Sequence, residues 1–246
     1  MDQTQDRLLN GRVTLRQPSH GYRAGLDAAL LAAACDAAPG QRVFEAGCGA
    51  GAALICAAWR RPGTSLTGLE RDESAVALAQ QNLVDNDLAD RANIIQGEVE
   101  AGFKALGLAP FDAALCNPPF FDDPGALRAP APGKTGAWMA DAGLGAWTSF
   151  LLKSVREGGT LTLIHRADRL ADLLALLGAK AGSFRIRPVQ PFIDAPAKRV
   201  IVRAIKTGRA PLVLLPALVL HPRSGAKHTQ EVEAILRGEQ ALAWDT

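Results

Sequence analysis

The residue types best suited to chemistry stand together at Asn117-Pro118-Pro119-Phe120. A side-chain amide, backbone carbonyls held in one orientation by consecutive prolines, and a neighbouring ring suit a planar substrate carrying an exocyclic amino group. Carbonyls accept its N–H bonds while the ring stacks on its face. A loop stop beside a core phenylalanine uses the same four residues, so the motif alone leaves both readings open. A second constellation precedes it: Glu45 leads into the glycine turn Gly47-Cys48-Gly49-Ala50-Gly51-Ala52, and Glu70 follows 23 residues after Gly47. Small residues let a backbone approach a nucleotide closely, and an acid at that spacing can accept both hydroxyls of a ribose.

These groups need strands and helices to aim them. Phe111–Cys116 has the length of a buried strand, and prolines without N–H groups must end it, which leaves Asn117 at its carboxyl edge. Gln41–Ala46 reads as a strand entering the glycine turn, followed by an alanine-rich helix to about Arg61. Leu66–Glu70 and Asn93–Gln96 are further strands; between them Asp72 or Ser74 caps a helix running through Leu83. Glu98, just past the third of these strands, is either an adenine contact or an ordinary first-turn acid. A helix spans Leu144–Arg156 and stops at Gly158-Gly159, and strands follow at 160–165, 184–188 and 198–206, with a helix at 169–177. The apolar run Leu212–Leu220 leads to a last helix, Thr229–Arg237. The fold expected is α/β: a doubly wound, Rossmann-like, mostly parallel seven-stranded sheet ending in a C-terminal antiparallel hairpin. Ligands then sit beyond the carboxyl ends of the strands where strand order reverses, with the glycine turn beside Asn117.

Residues 1–40 form a lead-in packed on a single domain spanning 1–246, with a short strand at Val13–Pro18 and a helix at Ala28–Ala37. Asp27 is placed to cap that helix; alternatively Tyr22, Arg23 and Asp27 fold over a ligand. The segment 121–143, rich in Gly, Pro, Ala and Asp and carrying Arg128 and Lys134, leaves the amide motif directly and reads as a lid or substrate loop.

With 246 residues, 48% hydrophobic and 21% charged, the chain fills one sizeable core. A net charge of +2 is too mild to demand a polyanionic partner, but its distribution is uneven. Arg185, Arg187, Lys198, Arg199, Arg203, Lys206 and Arg209 stand against Asp194 alone, a local +6 that leaves the rest near −4. Such a run is a phosphate-binding face or a solvated strand face. Cys35, Cys48, Cys56 and Cys116 show no C-x-x-C spacing, and no histidines stand at metal-ligand intervals, so reduced, mostly structural thiols and no metal are expected. His165 has no evident catalytic partner and is read as structural. The first residues lack a basic leader and Ala28–Cys35 is too short to span a bilayer, so a cytoplasmic protein with no membrane partner is expected.

The glycine turn does not choose its cofactor, because it also satisfies the dinucleotide pattern G-x-G-x-x-A, and a nicotinamide dehydrogenase stays open. Against that reading, no hydride-transfer pair is evident, and Glu45 suits a cofactor with a cationic amino-acid tail better than one with a pyrophosphate. Glu45-Ala46-Gly47-Cys48-Gly49-Ala50-Gly51, Glu70 and Asn117-Pro118-Pro119-Phe120 resemble the motifs of class I S-adenosylmethionine-dependent methyltransferases that modify amino groups. Gln17-Pro18-Ser19-His20-Gly21-Tyr22-Arg23-Ala24-Gly25-Leu26-Asp27-Ala28-Ala29-Leu30-Leu31 resembles the lead-in of one branch, the bacterial tRNA1(Val) adenine-N6 methyltransferases and their close relatives.

That resemblance implies S-adenosyl-L-methionine as cofactor, an RNA substrate, first a tRNA, and transfer of a methyl group to adenine N6. It assigns Asn117, Pro118, Pro119 and Phe120 to catalysis. Tyr22, Arg23, Asp27, Glu45, Gly47, Gly49, Gly51, Glu70, Arg71, Glu98 and Asn117 would bind the cofactor, and Arg128, Lys134, Lys198 and Arg199 the RNA. Tyr is common at the fourth position of the motif, and Phe120 keeps the stacking without the hydroxyl. Asn-Pro-Pro-Phe also resembles the motif of guanine-N2 ribosomal RNA methyltransferases. Protein glutamine-N5 methyltransferases share it too, but carry a longer helical region before the glycine turn. A cofactor-binding fold used as a non-enzymatic RNA-binding module is the remaining alternative.

Overall fold

A computed structural model describes residues 3–20, 23–119 and 143–245. Tyr22, Phe120, Arg128, Lys134 and nearly all of the expected 121–143 loop lie outside the described residues.

The main sheet is built on seven long strands: β3 (Arg42–Ala46), β4 (Ser65–Glu70), β5 (Ala92–Gln96), β6 (Phe111–Cys116), β7 (Val155–Arg166), β8 (Ala181–Gln190) and β9 (Arg199–Lys206). Their order is β8-β9-β7-β6-β3-β4-β5. From β7 to β5 all neighbours are parallel, whereas β9 runs antiparallel to both β7 and β8. The expected C-terminal hairpin is therefore present, with its second strand inserted next to β7. Two strands of two residues, β10 (Val213–Leu214) and β11 (Leu218–Val219), extend the edge beside β8, making nine in this sheet. They are too short to show any periodicity, which is why the sequence reads there only as an apolar run.

Apolar runs in the central strands pack on both faces, as parallel strands with helices on either side require. One core layer joins helices α1 (Leu26–Ala33), α2 (Ala52–Arg60), α3 (Glu73–Asp85) and, after α4 (Leu144–Ser154) and α5 (Leu170–Gly178), α6 (Gln230–Leu236). The opposite layer holds α4 and α5 and a cluster of four rings, Phe44, Phe103, Phe111 and Phe150, with centroids 5.0–6.2 Å apart. Asp72 caps α3 by accepting from the Ala75 N–H at 2.9 Å, so of the two candidates it is the aspartate that starts this helix.

Three boundaries differ from expectation. α1 begins at Leu26 with Gly25 at its N-cap, because Leu26 is drawn onto the core; Asp27 falls in the first turn and does not cap. It pairs with Arg199 at 3.1 Å instead. Gly158-Gly159 does not end a helix: α4 stops at Ser154, and the glycines lie where the β6–β7 pairing slips register. Finally, residues 3–8 form a strand, β1 (Gln3–Leu8), paired antiparallel with β2 (Val13–Pro18) in a separate two-stranded sheet.

That hairpin docks on α3 through two asparagines one turn apart. Asn82 accepts from the Arg16 N–H (2.7 Å) and donates to the Arg16 carbonyl (2.9 Å), while Asn86 does the same for Thr14 at 2.9 and 2.7 Å. Each amide imitates a neighbouring strand, because a carboxamide presents the same donor and acceptor as a peptide group.

Candidate active site

The two sequence motifs meet where strand order reverses. β3 and β6 are adjacent and parallel, with Ala46 opposite Cys116, so Gly47 and Asn117 are the next residues on neighbouring strands. The fold therefore brings the glycine turn and the amide motif to one point of the carboxyl edge, as ligand sites in open α/β sheets require.

Gly47, Gly49 and Gly51 all have positive φ, 68°, 55° and 85°. At Gly47 even a methyl group would collide, since a Cβ would stand 2.7 Å from the Trp147 ring; at Gly49 a Cβ would meet nothing within 4 Å. The turn thus closes against Trp147 on one side and opens to free space on the other. Trp147 lies in α4 and belongs, on sequence, only to that helix's apolar stripe; the structure puts its ring at the mouth of the site.

Glu70 ends β4 and grips the turn. Its Oε2 accepts from the Gly49 N–H at 2.9 Å, and its Oε1 accepts from the Arg71 and Asp72 N–H groups at 2.9 and 3.0 Å. About four lone-pair sites on an ionised carboxylate leave room for a further hydroxyl donor. Asn82, fully buried, also donates to the Ala50 carbonyl at 2.9 Å, tying the turn to the N-terminal hairpin. This link is invisible in the helical stripe Val76-Leu78-Ala79-Leu83. The available signal is the pair Asn82 and Asn86, poor helix formers four residues apart, which point to amides with backbone partners elsewhere.

Glu45 is 3% exposed on β3. Desolvation pushes its carboxyl well above the ordinary 4.5; the Leu54 N–H at the start of α2 opposes the shift and the nearby Glu70 charge adds to it. Its Oε2 has no hydrogen-bond partner among the described residues, and neither does the buried Oδ1 of Asn117. Orphaned buried acceptors are costly and call for an explanation, for which a ligand donor is a natural candidate. Two such oxygens, an open glycine turn and a carboxylate with spare acceptor capacity fit a nucleoside cofactor with a cationic amino-acid tail.

The remaining expected residues divide. Arg71 is exposed and follows Glu70 directly; Glu98 is exposed two residues beyond β5. Arg23 is held in the hairpin, bonded to Asp6 and Thr4 at 2.5 Å and to the Pro18 carbonyl at 2.9 Å. The basic run is not an open face. Arg187 donates to the Pro216 and Ala243 carbonyls at 3.0 and 2.6 Å, Arg203 pairs with Asp36 at 2.6 Å, and Lys206 bonds the Val155 carbonyl at 2.9 Å. Arg185 bonds the Trp244 carbonyl and pairs with Asp245 at 3.1 Å. Arg185 and Arg187 pin the C-terminal segment, Arg203 the turn after α1, and Lys206 the start of β7. A cleft of about 680 Å³ lined by Asp36, Arg185, Arg203 and Trp244 lies on that C-terminal side and shares no residue with the glycine turn or Asn117.

His165 is buried; burial, then the charges of Arg169, Arg166 and Arg199, push its pKa down to about 4. All four cysteines are free and buried, with Cys35 pushed up to about 11 and Cys56 to about 12 by desolvation. Among the described residues no group of three or more His, Cys, Asp or Glu side chains could hold a metal, and no helix is long and apolar enough to cross a membrane.

The central parallel strands with the antiparallel β9 beside β7 make this an α/β methyltransferase fold. A solved structure from Agrobacterium tumefaciens, described as a predicted O-methyltransferase, superposes with a TM-score of 0.74 at 26% identity, covering 89% of this chain and 100% of that one. Residues 23–128 match the family model of the methyltransferase small domain. A tRNA1(Val) (adenine(37)-N6)-methyltransferase from Flavobacteriaceae bacterium (strain 3519-10) is 27% identical over 112 residues, 45% of this chain and 47% of its own length. A release factor glutamine methyltransferase from Gloeobacter violaceus is 31% identical over 86 residues, 35% of this chain and 29% of its own. The matched stretches thus span less than half the length of these two relatives.

Proposed function

We propose that this protein methylates an exocyclic amino group of a nucleobase in RNA, adenine N6 of a tRNA first, with S-adenosyl-L-methionine as donor. The observation that carries the reading is the buried Asn117 Oδ1, without a hydrogen-bond partner among the described residues, one residue beyond β6 and beside Gly47. When bound, the cofactor supplies an electrophilic methyl group. Glu45 and the glycine turn hold its amino-acid end, where an ammonium group satisfies Glu45 Oε2; Glu70 takes the ribose hydroxyls, and Glu98 stands as the adenine contact. Asn117 Oδ1 accepts an N–H of the substrate amine and turns the nitrogen lone pair out of conjugation with the ring. Pro118 and Pro119 fix the backbone that aims it, with Phe120 as the stacking ring. An exocyclic amine needs no general base before transfer, and the surplus proton leaves to solvent afterwards. Catalysis is then positioning and exclusion of water.

A planar carboxamide fits the same acceptor, and the likeness to a release factor glutamine methyltransferase favours protein glutamine N5 as the second reading. The test is transfer of labelled methyl from S-adenosylmethionine to unmodified bacterial RNA and, in parallel, to a protein extract, with the product identified by mass. N6-methyladenosine in the tRNA fraction is the expected result. N2-methylguanosine would move the target to another base, label only in protein would establish the second reading, and an O-methylated product would overturn both.

A further inference from the structure

The face of the fold that carries Asn117 continues into a second feature on the same rim. β8 is parallel to β6, so its carboxyl end at Gln190 points the same way as that of β6, and β11 runs parallel beside it. Cys116 pairs with Leu163 whereas β7 continues to Arg166, three residues further. The rim therefore rises by about 10 Å on this side of Asn117 and makes a wall. Counting β7, β9 and β8 at one strand spacing each puts the end of β8 about 14 Å sideways from the end of β6.

A column of stacked groups stands just beyond the carboxyl end of β8. The Arg223 guanidinium lies over the Phe192 ring at 4.4 Å, Phe192 packs on His221 at 5.7 Å, and His221 stacks on His228 at 5.3 Å with their planes 25° apart. The loop carrying them is tied at its base. The Thr229 N–H donates to the Leu220 carbonyl at 3.0 Å, its hydroxyl donates to Val219 at 2.8 Å, and His221 Nδ1 bonds the Lys227 carbonyl at 2.6 Å. Residues 223–227 at its tip are exposed, and 220–230 contain two cations and no acid. Asp194 takes one edge of Arg223 and Glu233 holds His228 at 2.9 Å, whereas neither Lys227 nor Lys198 has a side-chain partner among the described residues. Lys198 opens β9 on the same rim, its N–H bonded to Val189 at 3.0 Å.

We propose that this rim loop is a docking platform for the single-stranded part of the RNA substrate, flanking the nucleotide held at Asn117. Lys198, Arg223 and Lys227 contact phosphates, and the half-buried column of Phe192, His221 and His228 offers its remaining ring surface to a neighbouring base. The inference rests on the RNA reading above and specifies which surface of the chain meets the strand. Aromatic faces interleaved with cations are the chemistry that holds unpaired nucleotides without reading their sequence. A tied loop presents them without the entropy cost of ordering a free one.

The test uses the full chain and a labelled, unmodified tRNA. The double variant Arg223→Glu/Lys227→Glu should weaken tRNA binding at least tenfold. It should also lower the slope of log affinity against log salt by about two, one for each lost phosphate contact. Affinity for S-adenosylmethionine should not change. His221→Ala should weaken binding a few-fold and leave the salt slope intact, as a lost stacking surface does. Lys104→Glu, a charge reversal elsewhere on the surface, should leave tRNA binding within twofold. A wild-type protein that methylates RNA, with a double variant equal to it in tRNA affinity and salt slope, would overturn this platform and leave the proposed function standing. A wild-type protein that binds no RNA, or labels only protein, would overturn both.

Discussion

Two regions of the molecule hold polar groups that look equally available in the sequence, and the structure treats them oppositely. At the β3–β6 junction, Glu45 Oε2 and Asn117 Oδ1 are buried and unpartnered among the described residues. In the β8–β9 hairpin, Arg185, Arg187, Arg203 and Lys206 are drawn onto carbonyls and carboxylates of the chain itself. A buried acceptor without a donor costs stability that a ligand can return. A cation that already has its acceptors has no such incentive. The junction is accordingly where binding is expected, and the hairpin cations are expected to hold the fold together.

The strongest way to break this contrast is Asn117→Ala. Turnover should fall about 10²–10³-fold, as on removal of an aimed polar group in other active sites, while cofactor affinity changes less than about threefold. Isothermal titration and single-turnover assays separate the two, and equal losses in both would count against a substrate role. Next in size is Arg187→Met. Losing two charge-assisted bonds to the Pro216 and Ala243 carbonyls should cost about 2–3 kcal/mol in denaturant unfolding and leave RNA affinity unchanged. A variant of full stability that binds RNA poorly would reverse the roles assigned to the two regions.

Gly47→Ala combines a left-handed φ of 68° with a Cβ 2.7 Å from the Trp147 ring. It should cost about 2 kcal/mol of stability and weaken cofactor binding, with Trp147→Ala recovering part of the loss by removing the collision. No recovery in the double variant would show that Trp147 does not press on the turn. The smallest effect belongs to Glu45→Gln, which should weaken cofactor binding about tenfold by removing one charge-assisted bond. It also has a pH signature. The folded-state pKa of Glu45 is raised above its ordinary 4.5, so the folded protein holds that proton more tightly than the unfolded chain does. Stability from this group is greatest below pH 4.5 and declines as pH rises toward the raised value. In Glu45→Gln that decline should vanish from urea midpoints measured across pH, and an unaltered profile would place its cause in another group.

Much of the site was legible in linear order. The glycine turn, the acid ending the second parallel strand and the amide motif after the fourth are each local signals, and alternating strands and helices then dictate where they meet. The Asp72 cap was equally legible. The start of α1 was not, because packing of Leu26 on the core and pairing of Asp27 with Arg199 are contacts between distant parts of the chain. Nor was the role of Trp147, whose helical spacing suits a core stripe and whose ring reaches Gly47 only once α4 is laid on the sheet.

The sequence by itself determined the class of fold and the placing of the glycine turn and the amide motif at strand ends, since hydrophobic period, glycine φ requirements and proline's missing N–H act within a few residues. Only the tertiary structure decided which charges are spent and which polar atoms are left without partners. Asn82 binding both β2 and the glycine turn, the hairpin arginines closing on the C-terminal segment, and the Phe192–His221–His228 column on the rim all join residues far apart in sequence. The strength of each depends on burial and on a partner's position, and neither exists until the chain has folded.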